Sequence, residues 1–390
     1  MMGTMATNRS RVLVIGAGVV GASIAYRLAG RGVRVTLLER ALPGGGTSAS
    51  SFAWVNSNEK PPLAYHRLNA ESLLAHRRLR DDLQADLRSG PAGQPGIAWL
   101  HEGGGLEWAV TEEGRARLLE KAGRLQAWGY RIEVIDVPAV RALEPHLRLD
   151  GLTAATFCPD EAWVDAPAMV ACLVAAAQAQ GAEVRSGTAG EVRAFEHDGD
   201  RVAGVRVASG ERLVGEHVVV AAGRWTDRVA GLAGIEVPLA PTCGLLAVTS
   251  VIERGVSRVV HVPGMHFRPD PSGGLVLQSG ATDATVTMET PADPDLPGCK
   301  ELLARLVHFL PAAASARIVA ARVGVRPMPA DGYPIVGPVE ARPGLYLAVT
   351  HSGVTLAPLL GEIVATELAT GTPDPRLASF RPARCVRSVG

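Results

Sequence analysis

Cysteine pairs, surplus charge and long apolar runs are all scarce in this 390-residue chain. Its five cysteines, Cys158, Cys172, Cys243, Cys299 and Cys385, are odd in number, widely scattered and never spaced as C-x-x-C. That pattern excludes a disulfide framework and a cysteine-based zinc site, so no metal is expected and a reducing, cytoplasmic location follows. Lysine plus arginine equals aspartate plus glutamate at 39 each, which removes any global draw toward nucleic acid or an anionic membrane. Lysine itself is rare, occurring only at Lys60, Lys121 and Lys300. No stretch reaches the ~18 uninterrupted apolar residues that a membrane helix needs. The leader MMGTMATNRS is polar and lacks a signal peptide's apolar centre, so a soluble protein without a membrane span is expected.

What the chain does have is core-forming capacity. With 47% hydrophobic and 20% charged residues it reads as globular, and its length predicts two intertwined domains. Val12 to Ile15 is a short aliphatic run suited to a parallel sheet covered on both faces. Apolar residues then recur at Val20, Ile24 and Leu28, one face of a helix that Gly32 stops, and Val33 to Leu38 reads as a second strand. Between strand and helix stand Gly16, Gly18 and Gly21, a G-x-G-x-x-G spacing. Gly16 suits the tight turn, Gly18 a close approach to pyrophosphate, and Gly21 close packing of helix on strand. Glu39 ends the second strand, where a carboxylate can accept from ribose hydroxyls and disfavours a 2′-phosphate. The motif binds a dinucleotide without separating NAD from FAD.

Further cues lie downstream. Pro43 to Ser51 is a loop rich in glycine and hydroxyls, offering donors to a long ligand. "EVRAFEHDGDRVAGVRVASGERLVG" reads as an antiparallel meander with turns at Asp198-Gly199 and Ser209-Gly210, leading into a buried strand from His217 to Ala222 that ends at Gly223. Near the C-terminus, Leu345 to Val349 reads as a strand, His351-Ser352-Gly353 as a turn, and Leu356, Leu360, Ile363, Val364 and Leu368 as a helix face whose first turn contains Pro358. A second helix start therefore points inward.

These blocks, with "GTSASSFAWVN", "VVVAAGRWTDRV" and "VGVRPMPADGYPIVGP" followed by "LYLAVTHSGVTLAPLLGEIVATEL", resemble the D-amino acid oxidase superfamily of FAD-dependent amine oxidoreductases, the group that includes glycine oxidase and monomeric sarcosine oxidase. The resemblance spans most of the chain. It implies contacts to FAD from Gly16, Gly18, Val19, Val20, Gly21, Glu39 and Arg40; from Gly46, Thr47, Ser48, Ser50 and Ser51; from Val184, Ala222, Gly223 and Trp225; and from Arg326, His351, Ser352, Gly353, Val354 and Thr355. Arg326 would grip a substrate carboxylate, its alternative being an ion pair with Asp331 or another acid. The resemblance also puts His266 and Arg268 on a hairpin near the substrate, with a solvent-facing strand position as the alternative for His266. Trp54 and Tyr333 could wall that pocket, whereas His66 reads as a surface residue of an amphipathic helix.

Two departures from the family pattern follow. Where sarcosine oxidase-like members carry a lysine that promotes reaction with oxygen, this chain has Val276 and Gln278, and none of its three lysines falls there. Dioxygen or another electron acceptor, including a dehydrogenase partner subunit, therefore remains open. Where those members attach flavin through cysteine, the chain reads Arg322-Val323-Gly324-Val325, so FAD is expected to be non-covalent, with Cys158 or Cys243 as remoter attachment points.

The expected architecture is α/β, α+β overall. A Rossmann-like FAD-binding domain with parallel sheet and β-meander occupies 1–90, 151–233 and 322–390, and a substrate domain on a mostly antiparallel sheet occupies 91–150 and 234–321. "SGPAGQPG" (Ser89 to Gly96) reads as the joint between them, followed by strand-like runs at Ile97 to Leu100 and Leu106 to Val110. Thr111 and Asp165 read as helix N-caps, with Gly181 as the stop of the second of those helices. The implied reaction removes hydride from the carbon bearing nitrogen in an amino or imino acid, with no side-chain base required. Alternatives are a larger amine substrate, a subunit of an amine dehydrogenase, and a non-catalytic FAD-binding subunit; a homo-oligomer is compatible with all three.

Overall fold

The computed structural model describes residues 11–89 and 98–388. The polar leader, the joint from residue 90 and the expected strand residue Ile97 lie outside the described residues. Six strands form the first sheet in the order Ile335–Pro338, Leu345–Val349, His217–Val220, Arg11–Ile15, Arg34–Glu39 and Glu183–Ser186. All neighbours run parallel except the first pair. The central strands, VLVI, VTLL, VVV and LYLAV, are buried on both faces, which is why they read as unbroken aliphatic runs.

Alternate residues feed two different cores. Val12, Val14, Val35, Leu37 and Val219 face the helices Val19–Ala29, Ala166–Ala179 and Gly353–Thr370. Leu13, Ile15, Leu38, Val218 and Val220 face the meander Val192–Asp198, Arg201–Val207 and Arg212–Val214. The meander's turns are held by Gly199 at φ 58° and Gly210 at φ 88°.

The second sheet has eight strands in the order Ile318–Arg326, Thr242–Thr249, Leu275–Gln278, Met265–Pro269, Val259–Val262, Gly105–Ala109, Ala154–Cys158 and Glu133–Ile135. It is antiparallel apart from the pairing of Val259–Val262 with Gly105–Ala109. Helix Pro297–Phe309 packs Cys299, Leu302 and Leu306 against it. Two expected boundaries fall one strand early. Ala154–Cys158, assigned from the sequence to the cofactor block beginning at 151, and Ile318–Arg326, which the boundary at 322 cuts in two, both hydrogen-bond into the eight-stranded sheet. Edge pairing of a strand is a long-range property that its own residues do not encode.

Local signals place the helix ends well. Thr111 accepts from the Gly114 amide, Asp165 accepts from the Ala168 amide, and Gly181 leaves its helix at φ 93°. Two readings are corrected. Pro358 lies inside helix Gly353–Thr370, not in its first turn, because the helix begins at Gly353, before the periodic position Leu356 from which the sequence reading started it. His66 is buried, 1% exposed, between Ser57 and the rings of Trp128 and Tyr130. The buried side of helix Leu63–Ser89 mixes Asn69, Ser72 and His76 with Leu68, Leu73, Leu79 and Leu83, so a polar residue there does not mark the solvent face.

Helix Gly353–Thr370 is long and apolar enough to cross a membrane. It is instead a core helix, packed against helices Val19–Ala29 and Leu63–Ser89.

Candidate active site

A cavity of about 920 Å³ is lined from both sheets, running from the end of the first strand to Arg326. At its first end, Gly16 turns at φ +100°, and a Cβ there would sit 2.5 Å from the Ala221 carbonyl oxygen. A Cβ on Gly21 would sit 1.9 Å from the Gly16 carbonyl oxygen. Only glycine fits either place. Gly21 does not line the cavity; it lets the helix settle on the turn, while Gly18, Val19 and Val20 do line it.

Helix Val19–Ala29 has no acidic residue in its first turn and no side-chain cap from Gly18; the Val19 amide donates to Ser48 Oγ at 3.2 Å. Helix Gly353–Thr370 likewise begins without a side-chain cap or an acidic residue. Elsewhere Thr111, Asp136, Asp165 and Ser279 cap their helices, while helices Thr226–Gly231 and Pro297–Phe309 also begin without a side-chain cap. Two uncapped helix starts thus face one cavity, each presenting amides and the positive end of its dipole.

Glu39 accepts from the amides of Ala17 at 2.9 Å and Ala41 at 3.0 Å, which fixes its carboxylate at the cavity wall. Arg40 lies over the Trp225 indole at 4.0 Å, and both line the cavity. Gly46, Thr47, Ser48, Ser50 and Ser51 form the next wall, with Thr47 Oγ1 donating to the Val325 carbonyl at 2.7 Å. Ala222 and Gly223 line it from the third strand. Val184 does not, because it pairs with Leu37 and packs with it against the helix-side core; residues Gly190 to Arg193 line the cavity instead.

At the other end stand Trp54, His266, Gln278, Asp283, Arg326 and the segment from His351 to Thr355. Arg326 donates to Asp283 at 2.6 Å and to the Cys243 carbonyl at 3.0 Å. Its partner is therefore Asp283 and not Asp331, which Arg384 holds at 2.8 Å. Gly244 makes room for the guanidinium, since a Cβ there would lie 2.6 Å from an Arg326 nitrogen. His266 shares a hydrogen bond with His261 through their Nδ1 atoms, and burial lowers the pKa of both. Trp54 donates to Glu161 at 2.9 Å.

Two expected pocket residues stand elsewhere. Arg268 is 3% exposed, hydrogen-bonded to the Phe52 and Pro269 carbonyls and stacked on Trp163 at 4.7 Å, with its pKa pushed down to about 10 by burial. Tyr333 packs edge-on against Tyr65 at 5.6 Å, outside the cavity. A strand alternates its side chains between faces, so Arg268, two residues after His266, shares its face but lies one strand-step beyond the cavity. Neither Cys158 nor Cys243 lines the cavity.

A lysine lines it, though not from the strand of Val276 and Gln278: Lys60 arrives from the loop before helix Leu63–Ser89. Burial pulls its pKa down to about 8. His351 is pushed down to about 4, by burial first and then by the nearby positive charges of Lys60 and Arg326, so it is neutral at pH 7. Sequence reading missed the pocket positions of Lys60, Asp283 and His261. None belongs to a short motif, and only the long-range assembly of loops brings them together.

A family model described as FAD dependent oxidoreductase, DAO, matches residues 11–367. The chain belongs to this DAO family. Over 393 residues it is 30% identical to a glycine oxidase of Pseudomonas aeruginosa, covering 96% of this chain and 98% of that protein. It is 27% identical over 428 residues to a D-amino acid dehydrogenase of Methylobacterium nodulans, covering 97% and 100%. The crystal structure of glycine oxidase from Geobacillus kaustophilus superposes with a TM-score of 0.82 at 26% identity, covering 95% of this chain and 98% of that one. FAD, the cofactor of the DAO family, suits the residues present: a glycine turn that excludes side chains, an anchored ribose-side carboxylate and two anion-favouring helix starts share one continuous cavity.

Proposed function

We propose that this DAO-family enzyme oxidises the C–N bond of a small amino or imino acid to an imine, which water then hydrolyses. The observation that carries the reading is the continuity of one cavity from the dinucleotide cradle at Gly16 to a chamber holding Lys60, Arg326 and the neutral His351. The printed names of the relatives, glycine oxidase and D-amino acid dehydrogenase, support an amino acid substrate. Bound FAD supplies the hydride acceptor.

The chain's residues supply placement and charge. The cationic side of the chamber attracts a carboxylate, which fixes the substrate's α-carbon relative to the cofactor cradle. As the α-carbon loses hydride, its nitrogen loses a proton and the C=N bond forms. The uncapped start of helix Gly353–Thr370 favours negative charge at its end of the cavity, and neutral His351 neither adds to nor cancels that field. The five free thiols support a reducing cytoplasm as the setting.

The test is product analysis. Holoenzyme is given glycine, N-methylglycine, D- and L-alanine and proline, with dioxygen or a redox dye as acceptor. The proposal predicts oxo acid or cyclic imine, with amine where it is released, in amounts equal to acceptor reduced; no product with either acceptor would refute it. Peroxide formation with dioxygen identifies an oxidase, and turnover with dye alone a dehydrogenase.

A further inference from the structure

Two cationic side chains reach the substrate end of the cavity, and they differ in what already holds them. Arg326 is neutralised: Asp283 accepts from it at 2.6 Å, and its other terminal nitrogen donates to the Cys243 carbonyl. Asp283 is itself fixed by the Leu245 amide at 2.9 Å and the Gln278 amide at 2.6 Å, so the pair cannot easily separate. Lys60 has no such partner. Among the described residues no carboxylate lies within salt-bridge distance of its ammonium, which sits over the Tyr65 ring at 6.0 Å from the centroid.

Resting on the reading above that the substrate carries a carboxylate, we infer that Lys60 is the group that anchors that carboxylate, with Arg326 held back by Asp283.

The groups around Lys60 agree with this assignment. Glu59 on its own loop is exposed and turned toward Lys121 and Arg124. Glu161, from the turn before strand Ala162–Val164, has its oxygens taken by Trp54 and Tyr130, and burial raises its pKa to about 8. Its charge and that of Glu59 act on Lys60 only from a distance, holding its pKa up against burial, and neither carboxylate comes within salt-bridge reach of the ammonium. His351 is neutral, and Tyr65 donates to or accepts from Ser352 at 2.6 Å. An ammonium held half-buried on the cavity wall with no carboxylate at salt-bridge distance is poorly satisfied, and an arriving carboxylate completes it. The same linkage works in reverse: bound carboxylate favours protonated Lys60, so affinity falls as pH rises past about 8.

The experiment titrates holoenzyme with acetate and propionate, carboxylates with no amine to oxidise, and follows the visible absorbance of the flavin. Lys60→Gln is expected to weaken acetate at least tenfold and abolish the loss of affinity above pH 8, and Lys60→Arg to restore binding. The native protein gives an independent readout. Propionate should shield Lys60 from an amine-reactive label, read by peptide mass, while exposed Lys300 labels equally with and without it. Wild-type affinity in Lys60→Gln, a wild-type protein that binds neither carboxylate, or a variant altered only in its flavin potential would each overturn the inference. Failure of the substrate reading looks different: carboxylates bind through Lys60, yet no amino acid reduces the flavin.

Discussion

Gly21→Ala would put a methyl carbon 1.9 Å from the Gly16 carbonyl oxygen, and that oxygen belongs to backbone that cannot rotate away. The helix must lift off the strand, and with it the amides that face the cavity. The variant is expected to purify with little or no FAD, which the ratio of visible to ultraviolet absorbance measures directly. A second prediction concerns Arg326. Asp283→Asn keeps an oxygen for the Leu245 amide but removes the charge that neutralises Arg326, so a second free cation enters the chamber. Acetate should then bind about tenfold tighter, or ~1.4 kcal/mol, by the same titration. The glycines and Glu39 were readable because their roles are set by neighbours within one turn. Asp283 and Lys60 were not, because Asp283 meets Arg326 from 43 residues away and the loop bearing Lys60 reaches the cavity only after folding.

Helix Gly353–Thr370 contains its own interruption and an external repair. Pro358 has no N–H to give the Val354 carbonyl one turn earlier. His76, on helix Leu63–Ser89, donates through Nε2 to that carbonyl at 3.0 Å and to the Thr355 carbonyl at 3.1 Å, and Ser72 donates to Thr355 at 2.6 Å. The imidazole is buried and its Nδ1 has no partner, which fits a neutral ring protonated at Nε2. His76→Ala leaves a buried carbonyl without its donor and should cost about 1–3 kcal/mol in thermal or denaturant unfolding. In a Pro358→Ala background, where the helix can satisfy Val354 itself, the same change should cost measurably less. The strand and helix here were legible as apolar periodicity, but the start of the helix and the donor 278 residues upstream carry no local signal.

At the scale of the molecule, buried titratable groups set the response to pH. His76 titrates near 6.5 when unfolded, but burial lowers it to about 4 in the folded protein. Between those values the unfolded chain binds more protons, so this contribution is intact above pH 6.5 and is lost as pH falls toward 4, up to about 3 kcal/mol. Glu161 works oppositely: with its folded pKa raised to about 8, its contribution is present below its unfolded value and fades as pH rises through 8. Comparison with His76→Gln cancels Glu161. The wild type's melting temperature relative to this variant should fall steadily from pH 6.5 to pH 4, and a constant difference would refute the assignment. The six-stranded sheet was legible because its strands are short aliphatic runs bounded by glycine turns. The strands at Ala154 and Ile318 were not, since the eight-stranded sheet recruits them across long intervals of sequence.

The central claim is that one cavity brings FAD and a carboxylate-bearing amine together. Its most direct test is anaerobic mixing of the purified holoenzyme with a panel of glycine, N-methyl, cyclic, D- and L-amino acids, following the visible flavin band. At least one substrate should bleach the band fully at a rate that saturates with concentration. Flavin-loaded protein that stays yellow with every member of the panel would contradict the account.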